Sequence, residues 1–174
     1  MKKQLQEKNN LIDEIYKAFG DIEFPIHCGL QGALAKDEWI DDDIEIAKIT
    51  QEKDIKGKWW EIPYRELDNI HLAQCYLDAK GVLFYLPAFL LYLLNDKSKR
   101  KYHALLSWLN PPNQLDDEYE LYPYFIEQFS LLNKSQKDVS IKVLKYIKRY
   151  IINPKDTITQ QEIEEILKNK FWQN

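Results

Sequence analysis

The stretch Val82-Leu83-Phe84-Tyr85-Leu86-Pro87-Ala88-Phe89-Leu90-Leu91-Tyr92-Leu93-Leu94 decides how this chain folds. Its thirteen residues carry no charge. A helix that crosses a bilayer needs about 20 apolar residues, so this run is too short to span one. A segment that is apolar all round a helix must be enclosed by other elements, which makes it a buried central helix. Pro87 suits a first helical turn, where its missing N–H costs nothing, so the helix is expected from Pro87 to Leu94. Gly81 then ends the preceding unit, where it is free to take positive φ, and Asp78 accepts backbone N–H groups in the turn.

Upstream, Pro63 opens the unit that Gly81 closes, and Leu67, Ile70, Leu72, Ala73 and Leu77 form an apolar stripe at helical spacing. Residues 3 to 19 place Leu5, Leu11, Ile12, Ile15, Tyr16 and Phe19 on one face, with Gly20 as a stop. Cys28 to Trp39 reads as a short helix with Leu30, Ala33, Leu34 and Trp39 facing inward. Over Asp41 to Ile49 the isoleucines Ile44 and Ile46 alternate with polar residues. That pattern permits a short β-hairpin near 41–58, although Asp clusters are poor in strands. Residues 51 to 58 are polar, contain Gly57, and read as a surface loop.

Downstream, Tyr102 to Leu109 forms a helix halted by Asn110-Pro111-Pro112. Residues 113 to 120 read as an acidic loop, and Tyr122 to Leu131 as a helix with Phe125 and Phe129 on one face. Asn133 is a fitting N-cap for a long helix to Ile152, with Val139, Val143, Ile147 and Tyr150 inward. Thr159-Gln160-Gln161-Glu162 matches a capping box ahead of a last helix over about 160–171. The expected fold is all-α: one compact domain over 1–174, with seven or eight helices.

The 174 residues suffice for a core that takes roughly 70% of the unfolded chain's surface out of water. A composition 45% apolar and 13% aromatic excludes intrinsic disorder. Net charge −4 argues against nucleic acid as the main partner, and a short solvated loop explains the one dense basic run, Lys97 to Lys101. Cys28 and Cys75 are too few for a disulfide framework. The N-terminus lacks a secretory h-region, so the expected location is the cytoplasm, with no membrane partner.

Three blocks stand out: Trp60-Glu61-Ile62-Pro63, then Tyr76-Leu77-Asp78-Ala79-Lys80-Gly81, then Phe84-Tyr85-Leu86-Pro87-Ala88-Phe89. They resemble a family of small bacterial proteins of unknown function that share W-x-x-I-P and Y-L-D-x-x-G-x-x-F-Y-L-P-A. The likeness spans roughly residues 10 to 150 and leaves the helix after Pro154 outside it. It implies a common architecture and supplies no activity.

The chemistry-bearing residues are few. His71 and Cys75 sit four apart, and His27-Cys28 is a second pair, so a zinc site is conceivable, but the spacing fits no standard zinc module. The same residues as a Cys–His nucleophile pair lack a recognisable orienting group. Asp37, Glu38, Asp41, Asp42, Asp43 and Glu45 lack the glycine of a calcium loop, which leaves a solvated loop or a surface for a basic partner. Asp116, Asp117, Glu118 and Glu120 lie among Tyr119, Tyr122 and Tyr124, residue types common in binding hot spots. No phosphate-binding, G-x-S-x-G or H-E-x-x-H motif is present, so no cofactor is expected.

The expected function is non-enzymatic protein binding, most simply an immunity protein that masks a basic bacterial toxin domain. Its contact residues would be Trp39, Asp41, Asp42, Asp43, Asp117, Glu118 and Tyr119. The alternatives are a metal-dependent hydrolase built on His27, His71 and the Asp cluster, or an adaptor that self-associates through Trp59 and Trp60.

Overall fold

The computed structural model describes residues 2–69, 73–95, 102–112 and 121–173. Among these residues the chain forms ten α-helices and no strand, so the all-α expectation holds. They are α1 (Lys2–Phe19), α2 (Leu30–Asp37), α3 (Asp43–Lys53), α4 (Tyr64–Asn69), α5 (Ala79–Asn95), α6 (Tyr102–Leu109), α7 (Leu121–Gln128), α8 (Lys134–Tyr150), α9 (Thr157–Lys168) and α10 (Lys170–Gln173). Short 3-10 turns lie at Trp59–Glu61 and Ala73–Tyr76.

The hydrophobic run is the centre of the molecule. From Gly81 to Leu94 every residue except Leu83 is buried, and α5 packs against α1, α4, α7, α8 and the Trp59 turn. The helix does not start at Pro87, which lies in its interior. An internal proline costs about 3 kcal/mol through its lost hydrogen bond and its clash with the preceding turn. The ten large side chains that α5 buries each return about 1.5–3 kcal/mol, so packing outweighs the break. Gly81 likewise starts this helix instead of stopping another. A Cβ there would meet the Cys28 carbonyl at 2.7 Å and Leu77 Cδ2 at 2.8 Å, so glycine is needed for close approach. Asp78 caps the first turn as expected, its Oδ1 accepting the Gly81 N–H at 2.7 Å.

The expected hairpin near 41–58 is absent, because residues 43–53 form α3. The Asp cluster is a helix start: Asp42 Oδ1 accepts the N–H groups of Ile44 and Glu45, and Asp43 and Glu45 add negative charge to the first turn. Nor does one helix run from Pro63 to Gly81. Helix α4 covers Tyr64–Asn69 and Cys75 lies in a 3-10 turn, while His71 lies outside the described residues.

The caps and aromatic pairs of the C-terminal half follow the sequence signals more closely. Asn133 and Gln136 form a reciprocal capping box at the start of α8, and Phe125 stacks on Phe129 at 4.4 Å between ring centres. The cap of α9 is Asp156, three residues before the expected threonine: Thr159 donates from both N–H and Oγ1 to its carboxylate. Trp172 closes the C-terminal core, donating Nε1–H to the Leu109 carbonyl at 2.9 Å and meeting Phe129 edge-on. Among the described residues no helix is long and apolar enough to cross a membrane.

Candidate functional site

Helices α2 and α3 form a hairpin that packs on the Ala73–Tyr76 turn, to one side of α5. The turn between them is built by a Schellman motif: Trp39 N–H returns to the Lys36 carbonyl and Ile40 N–H to the Ala35 carbonyl, both at 3.0 Å. The motif needs a left-handed residue at its pivot, usually glycine, and this chain puts Trp39 there with φ +68°. A bulky residue in that region costs about 1–2 kcal/mol. The turn also carries the side chain away from the core, so Trp39 is 93% exposed instead of facing inward as the helical spacing suggests.

Five residues on, Ile44 is 82% exposed in the first turn of α3. Asp41, Asp42 and Asp43 between them are exposed as well. The turn therefore presents an indole, an aliphatic side chain and three carboxylates to solvent. Asp42 is the N-cap of α3, and Asp43 adds charge to its first turn. Asp41 and Asp43 stand exposed, so the acidic cluster is partly helix start and partly surface charge.

The hairpin is held from behind by Asp54, the C-cap residue of α3. Its carboxylate accepts the Gln31 N–H at 3.1 Å on each oxygen and the Tyr85 hydroxyl at 3.3 Å, so it caps α2 in place of a local side chain. Thr50 Oγ1 accepts the Gly29 N–H at 3.0 Å beside it. A Cβ on Gly29 would strike Asp54 Oδ2, so only glycine admits the cap. Burial raises the Asp54 carboxyl to about 6, against hydrogen bonds from Gln31, Tyr85, Gly32 and Leu30 that pull it down.

A groove of about 380 Å³ adjoins the hairpin, between α2, the Ala73–Tyr76 turn and α7. Its walls include His27, Lys36, Tyr76, Tyr124 and the exposed Leu131. Tyr124 and Gln128 both donate to the Cys75 carbonyl, which fixes the floor. Burial raises both thiols, Cys75 to about 11, and Cys28 donates its S–H towards the Tyr76 carbonyl at 3.6 Å. Such thiols stay protonated at neutral pH in the protein as it stands. Among the described residues no three His, Cys, Asp or Glu side chains gather to hold a metal.

Of the expected contact residues, the structure brings Trp39, Asp41, Asp42 and Asp43 together on one turn. Asp117, Glu118 and Tyr119 lie outside the described residues, as does His71. Ile44 and Asp54 were missed. Ile44 pairs with Ile46 in a strand pattern that disguises its outward face, and Asp54 acts across 23 residues of chain. Trp59, considered for self-association, is fully buried with its Nε1–H on the Gly20 carbonyl.

A protein-family model described as a family of unknown function (DUF6714) matches residues 7–174, a span that takes in the helix after Pro154. No curated protein and no solved structure matches the chain.

Proposed function

The chain belongs to this family of unknown function, and we propose that it is a non-enzymatic protein-binding protein, an immunity protein that neutralises a bacterial toxin domain by docking it on the α2–α3 turn. The observation that carries the reading is Trp39. A fully exposed indole in a strained conformation lowers the stability of the free protein, and strain of this kind concentrates where a surface is used. Tryptophan is among the residues most enriched at interface hot spots. The carboxylates of Asp41 and Asp43 beside it favour a basic partner and speed its approach.

The test starts by sequencing the DNA on either side of this gene, where an open reading frame for a secreted toxin would supply the partner. Co-expression with the intact chain should restore growth, and titration calorimetry should give a tight one-to-one complex. Trp39→Gly should weaken binding by about 30-fold or more, as expected for a hot spot of 2 kcal/mol. Charge reversal of Asp41 and Asp43, with Asp42→Asn to keep the cap of α3, should slow association. Full affinity in both variants would remove this surface from the proposal.

A further inference from the structure

Helix α8 is basic on a chain of net charge −4: it holds Lys134, Lys137, Lys142, Lys145, Lys148 and Arg149 against the single carboxylate of Asp138. Lys142 is paired with Glu14 on α1, Lys148 with Glu164 on α9, and Lys137 lies 4.0 Å from the Phe171 ring centre. Lys145 and Arg149 are exposed, and no carboxylate among the described residues pairs with either, although the Arg149 guanidinium lies 5.0 Å from the Tyr150 ring centre.

Lys145, Lys148 and Arg149 stand at i, i+3 and i+4, so they share one face. Like charges at such spacings destabilise a helix. Cations near the C-terminus of a helix offset its dipole, which accounts for Lys148 and Arg149 in the last turn. That account leaves Lys145, a turn earlier, repelling both.

The three cations line one shallow groove of about 610 Å³ between α8 and α9, bordered by Pro154, Gln160, Glu164 and Leu167. Glu164 is the one carboxylate in the lining and is already bonded to Lys148, with Lys168 at 3.8 Å. The lining thus carries three cations against one anion, itself paired with Lys148, in a shallow depression open to solvent. Helix α8 packs on α1, α5, α9 and α10, while α3 packs on α2, so this groove is separate from the toxin-docking turn.

We propose that the α8–α9 groove binds a small multivalent anion of the oligophosphate class. Its charged oxygens are held between Lys145 and Arg149, and Lys148 is kept in line by Glu164. Arginine and lysine together suit such a ligand, the one as a planar fork and the other as a point charge.

Inorganic tripolyphosphate is the probe, titrated into the full chain by calorimetry in about 50 mM salt, where charge contacts are least screened. Saturable one-to-one binding is expected, with affinity at least tenfold lower in Lys145→Gln/Arg149→Gln. Both side chains are exposed, so that variant should keep the wild-type thermal midpoint in the absence of the probe. A control with the same loss of charge, Lys2→Gln/Lys3→Gln, should bind as wild type. No saturable binding, or equal losses in the two variants, overturns the site. A short single-stranded oligonucleotide serves as a second arm: if it binds at this face and tripolyphosphate does not, the ligand is a nucleic-acid backbone and the small-anion assignment fails. Neither arm involves toxin, so the result is independent of the docking proposal.

Discussion

At the scale of single residues, Trp39 and Asp54 do most to set the character of the hairpin. Trp39 sits where glycine is conformationally cheapest, so Trp39→Gly should raise stability by about 1 kcal/mol while it weakens partner binding. Urea unfolding of the free protein reads the first change; a loss of stability would mean that the indole packs on the fold. Asp54 makes a pH prediction. Its folded value of about 6 lies above the 3.8 of an unperturbed carboxyl, so its contribution is fully present below pH ~4 and is lost as pH rises through ~6. Lys53, Glu66 and Tyr85 face the same small cavity and are common to wild type and Asp54→Asn. The unfolding free energy of wild type minus that of the variant should therefore fall between pH 4 and 7 and then level off. A flat difference would show that the backbone N–H groups of α2 fully offset burial.

At the scale of elements, what the sequence reveals depends on how local the cause is. Helix α8 is legible to within two residues, because its Asn133 cap, its apolar stripe and the Asn153-Pro154 that follows it are all local in the sequence. Asn133→Ala removes half of the capping box and should cost about 1 kcal/mol, which chemical denaturation would resolve. Helix α3 is illegible for the opposite reason. Two isoleucines in alternation mimic a strand, and the Asp42 cap that rules the strand out reads equally well as loop charge. Helix α5 misleads at both Gly81 and Pro87, each a helix breaker by local rule. Its true limits follow from burial on every side, which depends on five neighbouring elements and on no local signal. The start of α2 cannot be found locally at all, since its cap comes from the far end of α3.

At the scale of the molecule, the core closes on aromatic contacts between distant parts of the chain. Trp108, Phe125, Phe129, Phe171 and Trp172 form a connected set of rings from α6, α7, α10 and the turn after α7. Truncating such a ring costs about 3–5 kcal/mol, a large part of the 5–15 kcal/mol that holds a domain folded. Trp172→Ala should lower the thermal midpoint by roughly 6–20 °C in scanning calorimetry. A shift of a degree or two would mean that α10 only decorates a core complete without it. The proposed docking surface is only partly legible at this scale: the sequence singles out Trp39 and Asp41 to Asp43, but its periodicity faces Trp39 inward and permits a strand over the aspartates. The basic groove between α8 and α9 was hidden because net charge averages over opposite faces.

The exposed indole also gives the protein an internal optical reporter. Of its five tryptophans, Trp59, Trp108 and Trp172 are sealed in the core, Trp60 is roughly one-third exposed, and Trp39 stands in water. An indole in water emits further to the red than one in an apolar core and is readily quenched by dissolved acrylamide or iodide. The red, quenchable part of the emission therefore arises chiefly from the turn proposed to dock the toxin. Covering that turn should shift the emission to the blue and shield it from quencher, so occupancy of the surface could be followed in unlabelled protein, in real time.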